Sequence, residues 1–227
     1  MSMLDSAAGL AIYAYKWVPR RAQGYVRDLR PRWACEEAGI AYREELIDVL
    51  DKPSGYFEEQ PWGQVPALLD GDIHVFESGA MLLHLGEKSE VLLPPQGQPR
   101  ATAISWLLAA LNTVEPALME LSNINMFARG EPWTELRRPS LEAFVRRRIA
   151  PVEKHVAAQE WLDGAFSIAD IAMVTVLREL DASPILAEHP AVAAYIERAM
   201  ARPAFVAAMA DQLAAFERHP KPQKQEA

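Results

Sequence analysis

Residues 63–88 read GQVPALLDGDIHVFESGAMLLHLGEK, and the order of residue types in this stretch decides the fold. Val65, Ala67 and Leu68, then Ile73, Val75 and Phe76, flank the turn Asp70-Gly71-Asp72 and predict a β-hairpin. Pro66 stands at the start of the first strand. Proline has no N–H to give to a ladder, so it belongs at a sheet edge, at a strand's first residue or in a turn, and a cis bond is one way of holding it there. Directly after the second strand, Glu77-Ser78 opens a helical run carrying Ala80, Leu82, Leu83 and Leu85. The stretch is thus an interrupted strand edge beside a helix that starts with a charged residue.

Upstream, Leu10 to Trp17 has the β-rich composition of a first strand, and Val18 to Gly24 is a basic loop. Val26 to Ala38 predicts a helix with apolar residues on more than one side, so it packs on two neighbours. Gly39 ends it, and IAYREELIDV (40–49) is a second strand. Strand, helix, strand, hairpin and closing helix make a βαβ plus ββα unit of about 80 residues. Residues 88–99, with three prolines and no periodicity, are the linker. Beyond them the pattern is helical: Leu107 to Leu121, kinked at Pro116; Leu141 to Val156, kinked at Pro151; an all-round apolar helix from Ile168 to Leu180; then Ala191 to Met200 and Pro203 to Phe216. The expected organisation is an α/β domain over 9–88, a linker over 89–99, an all-α domain over 100–219 and a disordered polar tail over 220–227.

The chain has 227 residues, 50% of them hydrophobic, enough for a sizeable core. A net charge of −8 argues against a nucleic-acid or anionic-membrane partner, since both need a basic face. Neither a leader-like start nor a run of about 18 apolar residues is present, so a cytoplasmic protein is expected. The single cysteine, Cys35, fits a reducing compartment. The five histidines show no metal-ligand spacing and no phosphate-binding glycine motif occurs, so neither a metal nor a nucleotide is expected. Arg146-Arg147-Arg148 reads as a solvated helix face, and Trp33, Trp106 and Trp161 as core. Ser167 and Asp170 have the spacing of a capping box, a folding element.

The order of these segments resembles the cytosolic glutathione transferase family, whose first domain is thioredoxin-like. The resemblance is carried by GQVPALLDGDIHVFESGAMLLHL, by LRPRWACEEAGIAYREELIDV and by FSIADIAMVTVL. It implies glutathione as co-substrate, a cis Val65–Pro66 bond, Val65 bonding the cysteinyl backbone, and Glu77 with Ser78 binding the γ-glutamyl group. The physics agrees: unpaired Val65 groups at an interrupted edge accept a peptide as an extra strand, and a helix start with a serine hydroxyl suits a carboxylate while Glu77 suits the amine. Gln64, Pro66 and Arg27 complete the expected glutathione-binding set. Singly, each residue has a plainer account: Pro66 ends an edge strand, Ser78 caps a helix, and Glu77 is a first-turn acid. Their joint spacing favours the ligand.

A thiol of pKa about 8.5 is only about 3% ionised at pH 7, and lowering it by ~2 units takes ~2.7 kcal/mol of thiolate stabilisation. In the family a tyrosine ending the first strand, or a serine or cysteine opening the first helix, provides it. Here the latter slot falls near Tyr25, Val26 and Arg27, none of them serine or cysteine. Tyr25 and Tyr15 remain as catalytic donors, with Arg20, Arg21 and Arg27 adding positive potential. Tyr15 facing the core and Tyr25 as a loop lid are the alternatives. Cys35 lies mid-helix, where packing is its expected role. The resemblance further implies a small hydrophobic electrophile lined by Trp17, Trp106, Ala110 and Thr113. It also implies a homodimer that pairs the Ala80–Leu85 helix with the Arg100–Leu111 helix. A non-catalytic glutathione-binding or regulatory module is the rival reading, and a glutathione-dependent isomerase or dehalogenase a third.

Overall fold

Four strands, β1 (Leu10–Tyr15), β2 (Tyr42–Ile47), β3 (Ala67–Asp70) and β4 (Ile73–Phe76), form one sheet in the order β2-β1-β3-β4. They belong to a computed structural model that describes residues 2–181, 183–219 and 221. The polar tail expected at 220–227 therefore lies, Lys221 apart, outside the described residues. β1 runs parallel to β2, from Leu10 opposite Tyr42 to Tyr15 opposite Ile47, and antiparallel to β3. As a central strand β1 is apolar on both faces, and Leu10, Ala11, Ile12 and Ala14 are buried. β3 and β4 form the expected hairpin, in which Gly71 takes φ +63° in the Gly71-Asp72 turn. This is the α/β, thioredoxin-like arrangement expected from the sequence, followed by helices.

The chain divides into two units, Met1–Leu92 with Arg202–Ala227, and Leu93–Ala201. The last helix, α9 (Pro203–Arg218), which the sequence reading grouped with the helical half, thus packs in the first unit. It does so against α1 (Leu29–Ala38), where Trp33 is fully buried and meets the Phe205 ring. Gln212 of α9 donates to the Val26 carbonyl at 3.0 Å and to Asp28 Oδ1 at 2.8 Å. Asp28 also accepts from Arg32 Nε at 2.8 Å, and Arg32 donates on to Glu44 at 3.0 Å. Burial pushes the Asp28 carboxyl up, against the pull of Arg32.

α1 starts at Leu29 rather than at Val26. Pro31 explains the shift. In a helix begun at Val26, its ring would clash with the Arg27 carbonyl and its missing N–H would break the ladder, whereas in a helix begun at Leu29 it sits in the first turn, which needs no partner. Residues 26–28 form tight turns instead, with Leu29 N–H on the Val26 carbonyl. Gly39, at φ +65°, closes the helix. α2 (Tyr56–Glu59) and α3 (Ser78–Gly86) complete this unit.

The second unit holds α4 (Gly97–Ala109), α5 (Glu115–Ser122), α6 (Pro132–Ala158), α7 (Ile168–Leu177) and α8 (Pro190–Met200). The helix expected through Leu107–Leu121 is broken by one wide turn, Ala110–Val114, just ahead of Pro116. Proline cannot bond back to the residue four before it, and the extra turn residue absorbs the loss. α6 instead runs on through Pro139 and Pro151. α7 is buried nearly all round and begins with the expected capping box: Ala169 N–H donates to Ser167 Oγ, and Ser167 N–H to Asp170 Oδ2 at 2.9 Å. Asp170 also accepts from Leu162 N–H at 3.0 Å and from the Tyr195 hydroxyl at 2.8 Å, yet burial pushes its carboxyl up to about 6. Arg146 bonds Glu188 and Glu142 on an open face, as read from the sequence. Trp161 is core, while Trp106 is half-buried beside His155.

Candidate functional site

The groups of interest in the first unit gather where β3, β4 and α3 meet. The peptide Val65–Pro66 is cis, and both residues are buried just ahead of β3. The approach is held by side chains: Gln60 Oε1 accepts from Trp62 N–H at 2.8 Å and Gln64 N–H at 3.0 Å, and the Tyr56 hydroxyl donates to the Gln64 carbonyl at 2.5 Å. Among the described residues the N–H and C=O of Val65 enter no hydrogen bond. An unspent donor and acceptor just ahead of β3, an internal strand of the sheet, is what an extended peptide needs in order to pair.

Glu77 links β4 to α3 with φ +68°, the one positive φ outside glycine among the described residues. A side chain makes that conformation cost of order 1 kcal/mol or more, and such strain concentrates at ligand sites. Glu77 is exposed, while Ser78, the first residue of α3, is 5% exposed. Among the described residues no side chain caps α3, so the N–H groups of its first turn join the Ser78 hydroxyl as donors. Arg30 of α1, itself 3% exposed, donates from Nη1 to Ser78 Oγ at 3.0 Å. Sequence reasoning missed Arg30. The signal was available, because a helix apolar on two sides that also carries Arg30 and Arg32 must bury a cation with partners.

The tyrosines expected from the sequence as thiol donors are less well gathered. Tyr15 ends β1 and is half-buried against Ile47, Tyr56, Val65 and Ala67, so its phenol is pushed up by burial. Tyr13 packs on the same cluster, its ring 5.2 Å from that of Tyr56. Tyr25 is 38% exposed in a turn four residues ahead of α1, so it does not stand at the helix start as the sequence suggested. Arg27 is half-buried immediately before Asp28, and Arg20 and Arg21 are exposed in a short 3-10 turn. Cys35 is fully buried, and burial pushes its thiol up, which leaves it a packing residue. Trp17 is half-buried after β1 in the first unit. In the second unit Trp106 is half-buried on α4, Ala110 buried, and Thr113 exposed in the wide turn. Among the described residues there is no cluster of three or more metal-ligating side chains, and no helix is long and apolar enough to cross a membrane.

Residues 22–87 match the family profile described as the glutathione S-transferase N-terminal domain. Glutathione S-transferase F9 of Arabidopsis thaliana is 32% identical over 146 residues, covering 60% of this chain and 68% of that protein. Disulfide-bond oxidoreductase YfcG of Escherichia coli K12 is 31% identical over 183 residues, covering 74% and 83%. The chain belongs to the glutathione S-transferase family. In this glutathione S-transferase family member the fold likeness reaches further than the sequence. A glutathione transferase family member from Pseudomonas fluorescens Pf-5, solved with two glutathione molecules bound, has a TM-score of 0.78 at 22% identity, covering 88% of this chain and 92% of that one. The family profile spans the cis Val65–Pro66 peptide, Glu77 and Ser78, while the helical unit is matched through the relatives and the fold.

Proposed function

We propose that this family member binds glutathione at the β3–α3 junction and conjugates its thiolate to a small hydrophobic electrophile, as a cytoplasmic homodimer serving detoxification. The observation that carries the reading is Glu77, held at φ +68° directly before the buried Ser78. One acid and one cluster of donors lie side by side there, complementary to the amine and carboxylate of a γ-glutamyl group. Val65, with its backbone groups unspent, would pair with the cysteinyl residue; Gln64 and Pro66 set its orientation, and Arg27 adds positive potential. Trp17, Trp106, Ala110 and Thr113 are the residues proposed for the electrophile.

Activation of the thiol is assigned to Tyr25, with Tyr15 as the second candidate. The absorbance of bound thiolate, titrated in the wild type, Tyr25→Phe and Tyr15→Phe, tests this. Loss of one charge-assisted hydrogen bond should raise the bound thiol's pKa by about one to two units. A wild-type pKa equal to that of free glutathione would instead favour the non-catalytic binding module. A depressed pKa in both variants would move the role to backbone amides and the arginines.

A second reading has its own support. A relative at 31% identity is named a disulfide-bond oxidoreductase, and Cys35 is buried, so this chain brings no accessible thiol of its own. Two glutathione molecules would then supply both thiols: two protons and two electrons pass to the substrate disulfide, whose S–S bond breaks, giving two substrate thiols and glutathione disulfide. Purified protein with glutathione, offered an aromatic halide and a small disulfide in parallel, separates the two. Turnover of the disulfide alone would replace the conjugation reading.

A further inference from the structure

The bond from Arg30 to Ser78 carries more than packing. A guanidinium has donors only, whereas a serine hydroxyl has one proton and two lone pairs. The 3.0 Å contact therefore occupies a lone pair of Ser78 Oγ and leaves its proton unspent, and among the described residues no acceptor receives it. Were Ser78 a simple cap, its oxygen would accept from an N–H of α3; among the described residues no side chain does so at this helix end. What remains at one spot is a buried hydroxyl proton, the uncapped N–H groups of the first turn, and a cation behind them that is 3% exposed. Every one of these is a donor or a positive charge.

We infer that Arg30 is a positioning residue: it holds the Ser78 hydroxyl as a donor, backs it with positive charge, and so makes this end of the site select a ligand carboxylate. The inference rests on the proposed glutathione site and adds which side chain gives Ser78 its polarity. Arg30 itself is too enclosed to be the primary contact, so its effect passes through Ser78 and through the field at the start of α3.

Calorimetry with two ligands tests this: glutathione, and 4-aminobutyryl-cysteinylglycine, which lacks only the γ-glutamyl α-carboxylate. The wild type should prefer glutathione by about thirtyfold or more, the size expected for charge-assisted bonds. Arg30→Met should cut that preference by about tenfold while leaving affinity for the analogue nearly unchanged, and Arg30→Lys should restore part of it. An Arg30→Met protein that keeps the full preference, or loses affinity for both ligands equally, overturns the positioning role, the second result marking a merely structural residue. If Arg30→Met does not fold, Arg30→Gln, which keeps a donor without the charge, should lower the preference at least threefold, and an unchanged preference overturns the inference. A wild type that binds neither ligand, or binds both alike, would instead overturn the glutathione site itself and this inference with it.

Discussion

Trp33 of α1 and Phe205 of α9 meet edge to face, with ring centroids 4.9 Å apart and planes at 74°. The pair joins the first helix of the chain to the last, and both rings are buried. Phe205→Ala should therefore cost about 3 to 5 kcal/mol, the range for emptying an aromatic from a core. Denaturant unfolding followed by circular dichroism measures it. A loss below about 1 kcal/mol would mean that α9 contributes little to the first unit.

Glu77 is a position where a less suitable residue for binding should be a better one for stability. Glycine adopts φ +68° without steric cost, so Glu77→Gly should stabilise the fold by about 1 kcal/mol while weakening glutathione binding by more than tenfold. Thermal melting and calorimetry on the same preparation read the two effects. A variant that is destabilised, or that binds as the wild type does, contradicts the account of strain held for function.

Tyr56→Phe removes the hydroxyl that holds the Gln64 carbonyl but keeps the ring against Tyr13. The expected result is a glutathione affinity about fivefold lower, the worth of one neutral hydrogen bond, with the thiol pKa unmoved. A changed thiol pKa would bring Tyr56 into the chemistry rather than the scaffold.

Asp170 sets a pH dependence. Burial raises its folded pKa to about 6, above the unfolded value of about 3.9, so the neutral form is favoured in the fold. Its contribution is fully present below the unfolded value and is lost as pH rises through about 6. Asp170→Asn is neutral throughout. The stability gap between wild type and Asp170→Asn should therefore widen by roughly 2 to 3 kcal/mol as pH falls from 7 to 4. Urea midpoints at three pH values check it, and a gap that narrows on acidification would show that the donors to Asp170 keep it ionised.

The hairpin, the proline ahead of it, the Glu77-Ser78 junction and the Ser167–Asp170 box were legible because each depends on residues close in sequence. Turn chemistry and capping are local, and the residue types at Gly71, Pro66 and Ser167 leave few alternatives. The start of α1 was misread because apolar spacing continues back to Val26, and only the steric consequence of Pro31 cuts the helix short. That α1 buries a cation could be read from its pattern, but which partner Arg30 meets and where α9 packs could not, since both depend on contacts between residues far apart: 48 positions separate Arg30 from Ser78, and 184 separate Asp28 from Gln212. Periodicity reports that a helix has a buried face but not which helix buries it. The choice between Tyr15 and Tyr25 as the proposed thiol donor was the least legible of all, because the two differ in exposure and backbone position in ways that composition does not record.

Cys35 is the one sulfhydryl in the chain, on α1 and with no exposed surface. A maleimide or disulfide reagent therefore meets it only when the first unit opens, so its labelling rate under native conditions becomes a clock for that opening. Saturating glutathione should slow the clock in proportion to binding, which lets a single mass-spectrometric trace report occupancy of the site without an assay for turnover.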